Sequence, residues 1–301
     1  PLEHARTLAR MAQDRLTEAK SLRYLGLVCW NQGNYAMAKT HYTPFLRISR
    51  EIGYQSGEGW ALNSLGLVFT ETGEFDRAYA YFEQALHIFR QVDEPRGEGT
   101  VLGNLGWVSN LQGDYDTARV CQEQALDISR QLGDRDGECR AFENLGLLMH
   151  HLGDDETALE YSQQGLFIAR ETGSLRQQGY TLTNVGHALA ELGRLAEAAD
   201  AYQEAVTIRR ELGQHNFAME SLAGLSRVSL AQGDQAQAQA YVEEILSHLA
   251  DGTLDGTEEP VRVYLTCYRV LRANQDPRAE VILNAGYRLL QQQAARIRDE
   301  G

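Results

Sequence analysis

The sequence predicts an all-α fold in which pairs of antiparallel helices repeat along the chain. Three observations predict this fold. Glycine recurs every 40 residues from Gly33 to Gly233, apolar residues follow the period of a helix, and no stretch alternates β-branched and polar residues as a strand does. A fixed period of this length is typical of a solenoid, in which each repeat packs mainly on its neighbours.

Five sets of residues share the period and place every repeat in the same register. The first set contains the glycines expected at the turns, two further sets contain small residues, and two contain large apolar residues. In steps of 40, the sets run from Gly33 to Gly233, from Gly26 to Gly186, from Ala38 to Ala238, from Leu25 to Leu225, and from Ile48 to Ile208. Agreement among five sets makes the repeat secure.

Residues 99–138 show how the first helix of a repeat is encoded. Leu102, Leu105 and Val108 have helical spacing and predict the buried stripe of this helix. Gly113 follows the stripe, and glycine readily takes the left-handed conformation that ends a helix. We therefore predict that the first helix ends at Gly113.

The second helix of the same repeat begins directly after the turn. Asp114 is a typical N-cap residue, and Gly133 is placed to end the helix. Gly106 in the first helix and Ala118 in the second are both small. A larger side chain at either position would push the helices apart, at a cost of about 1–3 kcal/mol. The pair is therefore predicted to cross closely at these two residues.

The period divides the chain into six repeats with a shorter segment at each end. The predicted repeats are 19–58, 59–98, 99–138, 139–178, 179–218 and 219–246. Residues 1–18 are predicted to hold the second helix of a preceding repeat, because the pattern Asp-Arg-x-x-Glu at residues 14–18 recurs at residues 134–138. Since the sequence also begins with Pro1, we expect it to be a fragment of a longer protein.

The C-terminal residues depart from the register. A polar loop is predicted over residues 247–259, followed by a closing helix pair within residues 260–301. The two helices are expected at about Pro260–Ala273 and Pro277–Arg298, each with proline at its favoured first position. Such a pair would cover the exposed face of the last repeat, as the end of a solenoid requires.

Composition excludes several classes of function. The chain carries 42 acidic and 28 basic residues, for a net charge of −14, which disfavours binding to nucleic acid or to anionic membranes. No apolar run approaches the roughly 18–20 residues of a membrane span. The four cysteines form no C-x-x-C pair, so we expect reduced thiols in a cytoplasmic protein and no disulfide framework.

The repeat resembles a known family. Leu105-Gly106, Gly113 and Ala118, with their counterparts in the other repeats, resemble the tetratricopeptide repeat (TPR), although the generic repeat has 34 residues and this one has 40. The linker Gly-Asp-Arg-Asp-Gly-Glu at residues 133–138 is similar to linkers of LGN-type adaptors, kinesin light chains and sensor arrays of bacterial signalling ATPases. The resemblance covers about residues 2–246 and implies a right-handed α-solenoid, or superhelix.

The C-terminal sequence adds a second resemblance. Residues 261–271 followed by Asp-Pro-Arg-Ala at 276–279 resemble the end of such arrays in bacterial regulators of the STAND class of signalling ATPases. The resemblance implies a ligand-sensing domain that binds a protein or peptide trigger on a concave face and contacts an upstream ATPase or effector domain. Two alternatives remain open from the sequence, namely an adaptor that links proteins without an ATPase, and a receptor for a small ligand.

The family also implies which side chains line the groove formed by the first helices. The candidates combine aromatic, arginine, asparagine and histidine side chains with one glutamate, and aromatic and arginine side chains dominate interface hot spots. They are Arg23, Trp30, Trp60, Asn63, Asn104, Trp107, Asn110, Arg140, Glu143, Asn144, His150, His151, Tyr180, Asn184, His187 and Arg227. All three tryptophans of the chain are in this set.

Each part of this set has an alternative interpretation. Trp30 and Trp60 could instead fill the packing between repeats. Asn104, Asn144 and Asn184 recur at one position, where an asparagine amide could bind the backbone of an extended peptide. The same asparagines could equally bridge neighbouring repeats. The sequence does not decide between these roles.

Metal binding and catalysis find little support in the sequence. His150 and His151 are adjacent, so their side chains point about 100° apart on a helix and cannot chelate one ion together. His187 from the next repeat could approach His150, but polar groove lining is the favoured interpretation and no metal is expected. Phosphate-binding loops, nucleophile elbows and H-E-x-x-H motifs are also absent from the sequence. We therefore expect neither enzymatic activity nor a cofactor.

Overall fold

The computed structural model of the chain describes residues 7, 11, 14–254, 257 and 259–298. This part of the chain is all-α and contains no strand, and its helices follow one another in pairs joined by short turns. The helices are α1 (Arg15–Asn31), α2 (Tyr35–Glu51), α3 (Gln55–Glu71), α4 (Phe75–Gln91), α5 (Pro95–Gln112), α6 (Tyr115–Leu132), α7 (Arg135–His151), α8 (Asp155–Thr172), α9 (Leu175–Glu191), α10 (Leu195–Glu211), α11 (His215–Ala231), α12 (Gln235–Asp251), α13 (Pro260–Ala273) and α14 (Ala279–Arg298).

The turns use the residues that the sequence predicts. Gly113 caps α5 with φ of 80°, and Gly133 caps α6 with φ of 63°, both in the left-handed region. Between them, the Asp114 carboxylate accepts a hydrogen bond of 3.2 Å from the backbone N–H of Thr117. The predicted ends of the two helices in this repeat are therefore confirmed, and glycine at the turn fixes each end.

The chain forms two compact units, the first made mainly of residues up to Gly137 and the second of Glu138–Ala295. In the first unit, large side chains of the second helices, such as Phe45, Phe82 and Phe89, are fully buried against the first helices. In the second unit, Leu148, Tyr202 and Leu222 are likewise buried. None of the helices in the described part of the chain is long and apolar enough to cross a membrane.

The second glycine set marks where paired helices cross. A methyl group added to Gly106 would lie 3.0 Å from the carbonyl oxygen of Ala118 and 2.7 Å from the Gln122 amide nitrogen. In the preceding repeat, a methyl group on Gly66 would lie 2.5 Å from the ring of Phe82. Two of these distances are shorter than real contacts of a methyl carbon and the third is unusually tight, so the close crossing predicted from the small residues is confirmed.

Replacing Gly66 by alanine is expected to lower the free energy of unfolding by about 1–3 kcal/mol, because the buried Phe82 ring cannot move away from the new methyl group. Gly103 provides the matched control. A methyl group there comes no closer than 4.0 Å to Gln122, and alanine favours a helix over glycine by about 1 kcal/mol. The midpoint of urea unfolding should therefore be lower than that of the wild type for G66A and higher for G103A. If the two midpoints shifted equally, close packing would not be the reason for glycine at positions such as Gly66.

Several observed bounds differ from the predicted ones. Each first helix begins four residues before the predicted start of its repeat; for example, α5 begins at Pro95 and not at residue 99. The offset is constant because a periodic sequence can be divided into repeats at any starting residue. Helix α12 continues to Asp251, so the loop predicted from residue 247 begins five residues later. The helix predicted within residues 1–18 lies mostly outside the described residues. Of residues 1–13, only Thr7 and Met11 are described.

At the C-terminus, α13 spans the predicted Pro260–Ala273, but α14 begins at Ala279 and not at Pro277. The reason is a turn around Asp276, whose carboxylate accepts the backbone N–H of Arg278 at 2.8 Å. Its carbonyl oxygen accepts the N–H of Ala279 at 3.1 Å. Pro277 lies inside this turn. Helix α13 packs against α11 and α12, the last repeat of the array.

Candidate functional site

Trp60, on the first helix α3, is part of the packing of the first compact unit. Its indole N–H donates a hydrogen bond of 2.9 Å to Glu94. Its ring meets Phe89 edge-on at 5.1 Å between centroids, and the Arg23 guanidinium lies 4.7 Å from the ring. The contacts with Phe89 and Glu94 lie within the predicted repeat 59–98, and the contact with Arg23 connects it to the preceding repeat, so Trp60 takes part in packing.

The other two tryptophans differ from each other. Trp30 packs against the apolar core of the first unit and lies 6.5 Å from the ring of Tyr35. Trp107 is half-buried on α5. Asn110, one turn further along the same helix, is buried. Trp107 therefore remains a candidate for contact with a partner.

Two of the asparagines bridge repeats. The Asn104 amide donates a hydrogen bond of 2.8 Å to the side-chain oxygen of Asn63, 41 residues away. The buried Asn184 amide donates to the carbonyl oxygen of Glu143 at 3.3 Å. Asn104 and Asn184 therefore each form a hydrogen bond to a neighbouring repeat. Asn144 is half-buried on α7 and remains a candidate for peptide contact.

In the second compact unit, the structure brings two histidines together from α7 and α9. The rings of His150 and His187 are stacked with centroids 5.6 Å apart and an interplanar angle of 13°. His150 Nδ1 lies 2.6 Å from an Asp155 carboxylate oxygen. The adjacent His151 ring is 6.3 Å from His150 and tilted away from it by 41°, and His151 is more exposed than its neighbour. The sequence left open whether His187 approaches His150, and in the structure the two rings are in contact.

His187 is only 2% exposed and has polar neighbours on both ring nitrogens. Its Nδ1 lies 2.7 Å from the hydroxyl oxygen of Tyr202, on the second helix α10. Its Nε2 lies 3.4 Å from Glu220, on α11. Glu259, the residue that precedes α13, places a carboxylate oxygen 3.9 Å from the same Nε2. With His150 of α7, four helices and the start of a fifth therefore meet at this ring.

Helix α13 supplies a charged contact to the same place. Arg262 donates from Nη2 to Glu191 at 3.1 Å, lies with Nη1 2.9 Å from His150 Nε2, and also pairs with Glu259. Arg227 of α11 donates to the same Glu191 carboxylate at 3.0 Å. We call the group around the buried ring the histidine cluster; it consists of His150, His187, Tyr202, Glu220, Glu259 and Arg262.

Burial controls the protonation of the cluster. It holds the pKa of His187 well below the usual range, and the nearby Arg262 lowers this pKa further. Burial raises the pKa of the Tyr202 phenol to about 12. For Glu259, burial acts to raise the pKa, but the positive charge of Arg262 and its hydrogen bond to this carboxylate act in the opposite direction, and the pKa is lowered. At neutral pH the cluster therefore contains a neutral His187, an un-ionised Tyr202 and an ionised Glu259.

A second buried polar group lies elsewhere in this unit. The Arg209 guanidinium lies 3.8 Å from the ring of Tyr180 and 5.2 Å from that of Phe217, and it donates to Gln214 at 2.8 Å. Burial raises the pKa of Glu143 to about 8, although Arg140, a weak hydrogen bond from Cys139 and Arg209 act in the opposite direction. Tyr180 is thus held by packing, whereas Arg140 is exposed.

Sequence reasoning missed several residues of these two groups. Tyr202, Glu220, Glu259, Arg262 and Arg209 were not among the candidates. Tyr202 and Arg209 lie on a second helix, which the family pattern assigns to packing. One signal was available, since Tyr202 faces Gly186 as Phe82 faces Gly66, and a tyrosine there brings a hydroxyl group into a position that otherwise needs only an apolar ring.

Comparison with known proteins places this fold in context. The family model of the tetratricopeptide repeat matches residues 17–91, 97–171 and 177–250. Among curated proteins, none matches the sequence significantly. A Rap conjugation gene regulator of the plasmid pLS20, solved with the Phr* peptide, is similar with a TM-score of 0.73 and 16% identity, over 97% of this chain and 79% of the regulator.

Two further solved structures share the fold at low sequence identity. A Rap protein complexed with competence and sporulation factor has a TM-score of 0.69 and 17% identity, over 95% of this chain and 77% of that protein. A STAND signal-transduction ATPase with a tetratricopeptide repeat sensor, from Pyrococcus horikoshii, has a TM-score of 0.66 and 14% identity. The match covers 94% of this chain but only 43% of the ATPase. At these identities the similarity establishes the fold alone.

Proposed function

Because this chain belongs to the tetratricopeptide repeat family, we propose that it binds a protein or peptide partner on the first helices of its repeats. The fold is a TPR α-solenoid, a class that functions mainly in protein binding. The observation that carries the proposal is Trp107, a tryptophan on the first helix α5 that is only half-buried. A large aromatic ring that stays partly exposed is the type of residue that dominates binding energy at interfaces.

Other residues of the first helices support the same role. Arg23, Asn144 and Arg227 are half-buried, and Arg140 is exposed, so each can offer polar groups to a partner. Two proteins with the same fold match 95% or more of this chain; one was solved with the Phr* peptide and the other with competence and sporulation factor. These structures favour a peptide as the partner. Neither enzymatic activity nor a nucleic-acid partner forms part of the proposal.

We also propose that the array is the ligand-sensing part of a larger STAND-type signalling ATPase in bacteria. The resemblance of residues 261–279 to the end of such arrays supports this context, and so does the fold shared with the sensor-containing ATPase from Pyrococcus horikoshii. The sequence of the parent gene tests it. A phosphate-binding loop of the pattern G-x-x-x-x-G-K-[ST] upstream of this segment is the expected result, and a parent gene without one would favour the adaptor alternative.

Replacing Trp107 by alanine is expected to weaken partner binding at least tenfold and to leave the melting temperature nearly unchanged, since an aromatic hot spot contributes about 2 kcal/mol or more. The partner can be a peptide selected by display on the immobilised chain, with its dissociation constant measured by calorimetry.

Two variants serve as controls for this experiment. Trp60→Ala should lower the melting temperature, because Trp60 packs on Phe89 and bonds Glu94. Phe167→Ala should change neither the dissociation constant nor the melting temperature. It removes a ring that is 67% exposed on the second helix α8. If Trp107→Ala unfolds the chain while the affinity of the remaining folded protein is unchanged, Trp107 is a core residue and the proposed site is wrong.

A further inference from the structure

The histidine cluster contains three side chains that are typical metal ligands. His187 Nε2 lies 3.4 Å from Glu220 and 3.9 Å from Glu259. One ligand atom from each residue can be chosen so that all three lie within 4.8 Å of one another. Metal–ligand bonds of about 2.0–2.2 Å bring the ligands of one ion to about 3–3.6 Å apart. The observed separations therefore need only small side-chain movements to match a bound ion.

The surroundings of His187 favour a metal-binding tautomer. The Tyr202 hydroxyl oxygen, 2.7 Å from His187 Nδ1, also accepts a hydrogen bond of 3.2 Å from Arg227. The same oxygen can accept the Nδ1–H proton of His187, which leaves the Nε2 lone pair facing the two carboxylates. Histidine ligands in metal sites usually donate their other ring nitrogen to an oxygen in this way, and the bond fixes the ring orientation.

The ligand types indicate which ions fit. One imidazole and two carboxylates suit first-row transition metals and zinc, whereas Ca²⁺ and Mg²⁺ prefer ligand sets made of oxygen alone. Arg262 pairs with Glu259 and adds positive charge beside the site. This charge opposes a cation, so an ion with strong affinity for imidazole nitrogen is needed. Zinc meets this requirement better than magnesium.

We propose that His187, Glu220 and Glu259 form a binding site for a divalent transition-metal ion of the zinc class. The ligands come from α9, α11 and the residue before α13. A bound ion therefore connects the start of α13 to two first helices of the array and stabilises that contact. This site is separate from Trp107 and does not depend on the proposed partner.

The test is a titration of the full chain with ZnCl₂ after removal of metals by a chelator. Calorimetry should show one ion per chain with micromolar or tighter affinity, and thermal unfolding should shift upwards in the presence of Zn²⁺, because a ligand that binds the folded state stabilises it. MgCl₂ at the same concentration should give neither effect. Titration with Co²⁺ should give the visible absorption of a low-coordinate site with a nitrogen ligand.

Variants locate the binding site within the chain. Glu259→Gln should weaken Zn²⁺ binding at least tenfold. Tyr202→Phe should weaken it by about tenfold, the usual effect of losing an outer-shell partner. Glu191→Gln is the matched control, because Glu191 pairs with Arg227 and Arg262 in the same region but is not one of the three ligands. The Zn²⁺ affinity of the Glu191→Gln variant should stay within about twofold of that of the wild type.

Two results would overturn the proposal. The first is a wild-type chain that shows no saturable Zn²⁺ binding. The second is a Glu259→Gln variant that binds Zn²⁺ as tightly as the wild type, which would place the ion elsewhere. Because Glu259 is only partly buried, this variant is expected to fold, and circular dichroism checks that it does. Failure of the metal experiment would leave the result for Trp107 unaffected, so the two proposals are tested independently.

Discussion

Replacing Arg209 by alanine is expected to lower the free energy of unfolding by about 2–4 kcal/mol, the range for truncating a large buried side chain. Arg209 is 1% exposed and lies against the rings of Tyr180 and Phe217. Alanine removes these contacts and the hydrogen bond to Gln214, and it leaves a cavity between α9, α10 and α11. Denaturant unfolding monitored by circular dichroism measures the change.

Arg209→Met separates packing from charge at this position. Methionine keeps most of the length of the arginine stem, and a well-packed apolar side chain often replaces a buried ion at little cost. We therefore expect Arg209→Met to cost less than about 1.5 kcal/mol. If Arg209→Met is as destabilising as Arg209→Ala, the guanidinium charge and not the packing stabilises this region.

The second large effect concerns the pH dependence of stability at Glu143. Burial raises the pKa of Glu143 from its usual 4.5 to about 8 in the folded chain. Between these two values the folded state holds a proton that the unfolded state has lost. Stability therefore falls as the pH rises from about 4.5 to about 8, and the loss persists at higher pH. Glu143→Gln removes this penalty and should be more stable than the wild type at pH 8.5, by on the order of 2–3 kcal/mol.

Comparison at two pH values isolates this effect from the other titrating groups. At pH 4 the wild type and Glu143→Gln should have similar free energies of unfolding, and the difference should grow as the pH is raised to 8.5. Glu160→Gln changes an exposed glutamate on α8 and should give a constant difference over the same range. If the free energies of unfolding of the wild type and of Glu143→Gln changed with pH in parallel, the raised pKa of Glu143 would be contradicted.

Much of the fold could be predicted because its determinants are local. Gly113, Asp114 and Gly133 fix the ends of helices through their own backbone and capping preferences, and each preference can be recognised in a short stretch of sequence. The start of α14 was misplaced because the sequence offered two signals. Proline at position 277 favoured a helix start, but the carboxylate of Asp276 binds the following N–H groups and moves the start to Ala279.

The candidate site was less predictable because it depends on contacts between distant residues. Arg262 meets His150 across 112 residues, and no periodic pattern encodes that contact. Asn104 and Asn184 repeat at one position, which fits both peptide binding and bridging, and their bonding partners Asn63 and Glu143 could not be read from that pattern. A family pattern that assigns groove positions by number cannot include Glu259, which precedes α13 and lies outside any repeat.

The first helices, and Trp107 in particular, are proposed to bind the partner. Site-specific photo-crosslinking tests this role most directly, with benzoylphenylalanine introduced in place of Trp107 in one variant and of the exposed Phe167 in another. The selected peptide should crosslink strongly at position 107 and not at position 167. Crosslinking at position 167 with none at 107 would show that the partner binds the second helices, and would contradict the binding role of Trp107.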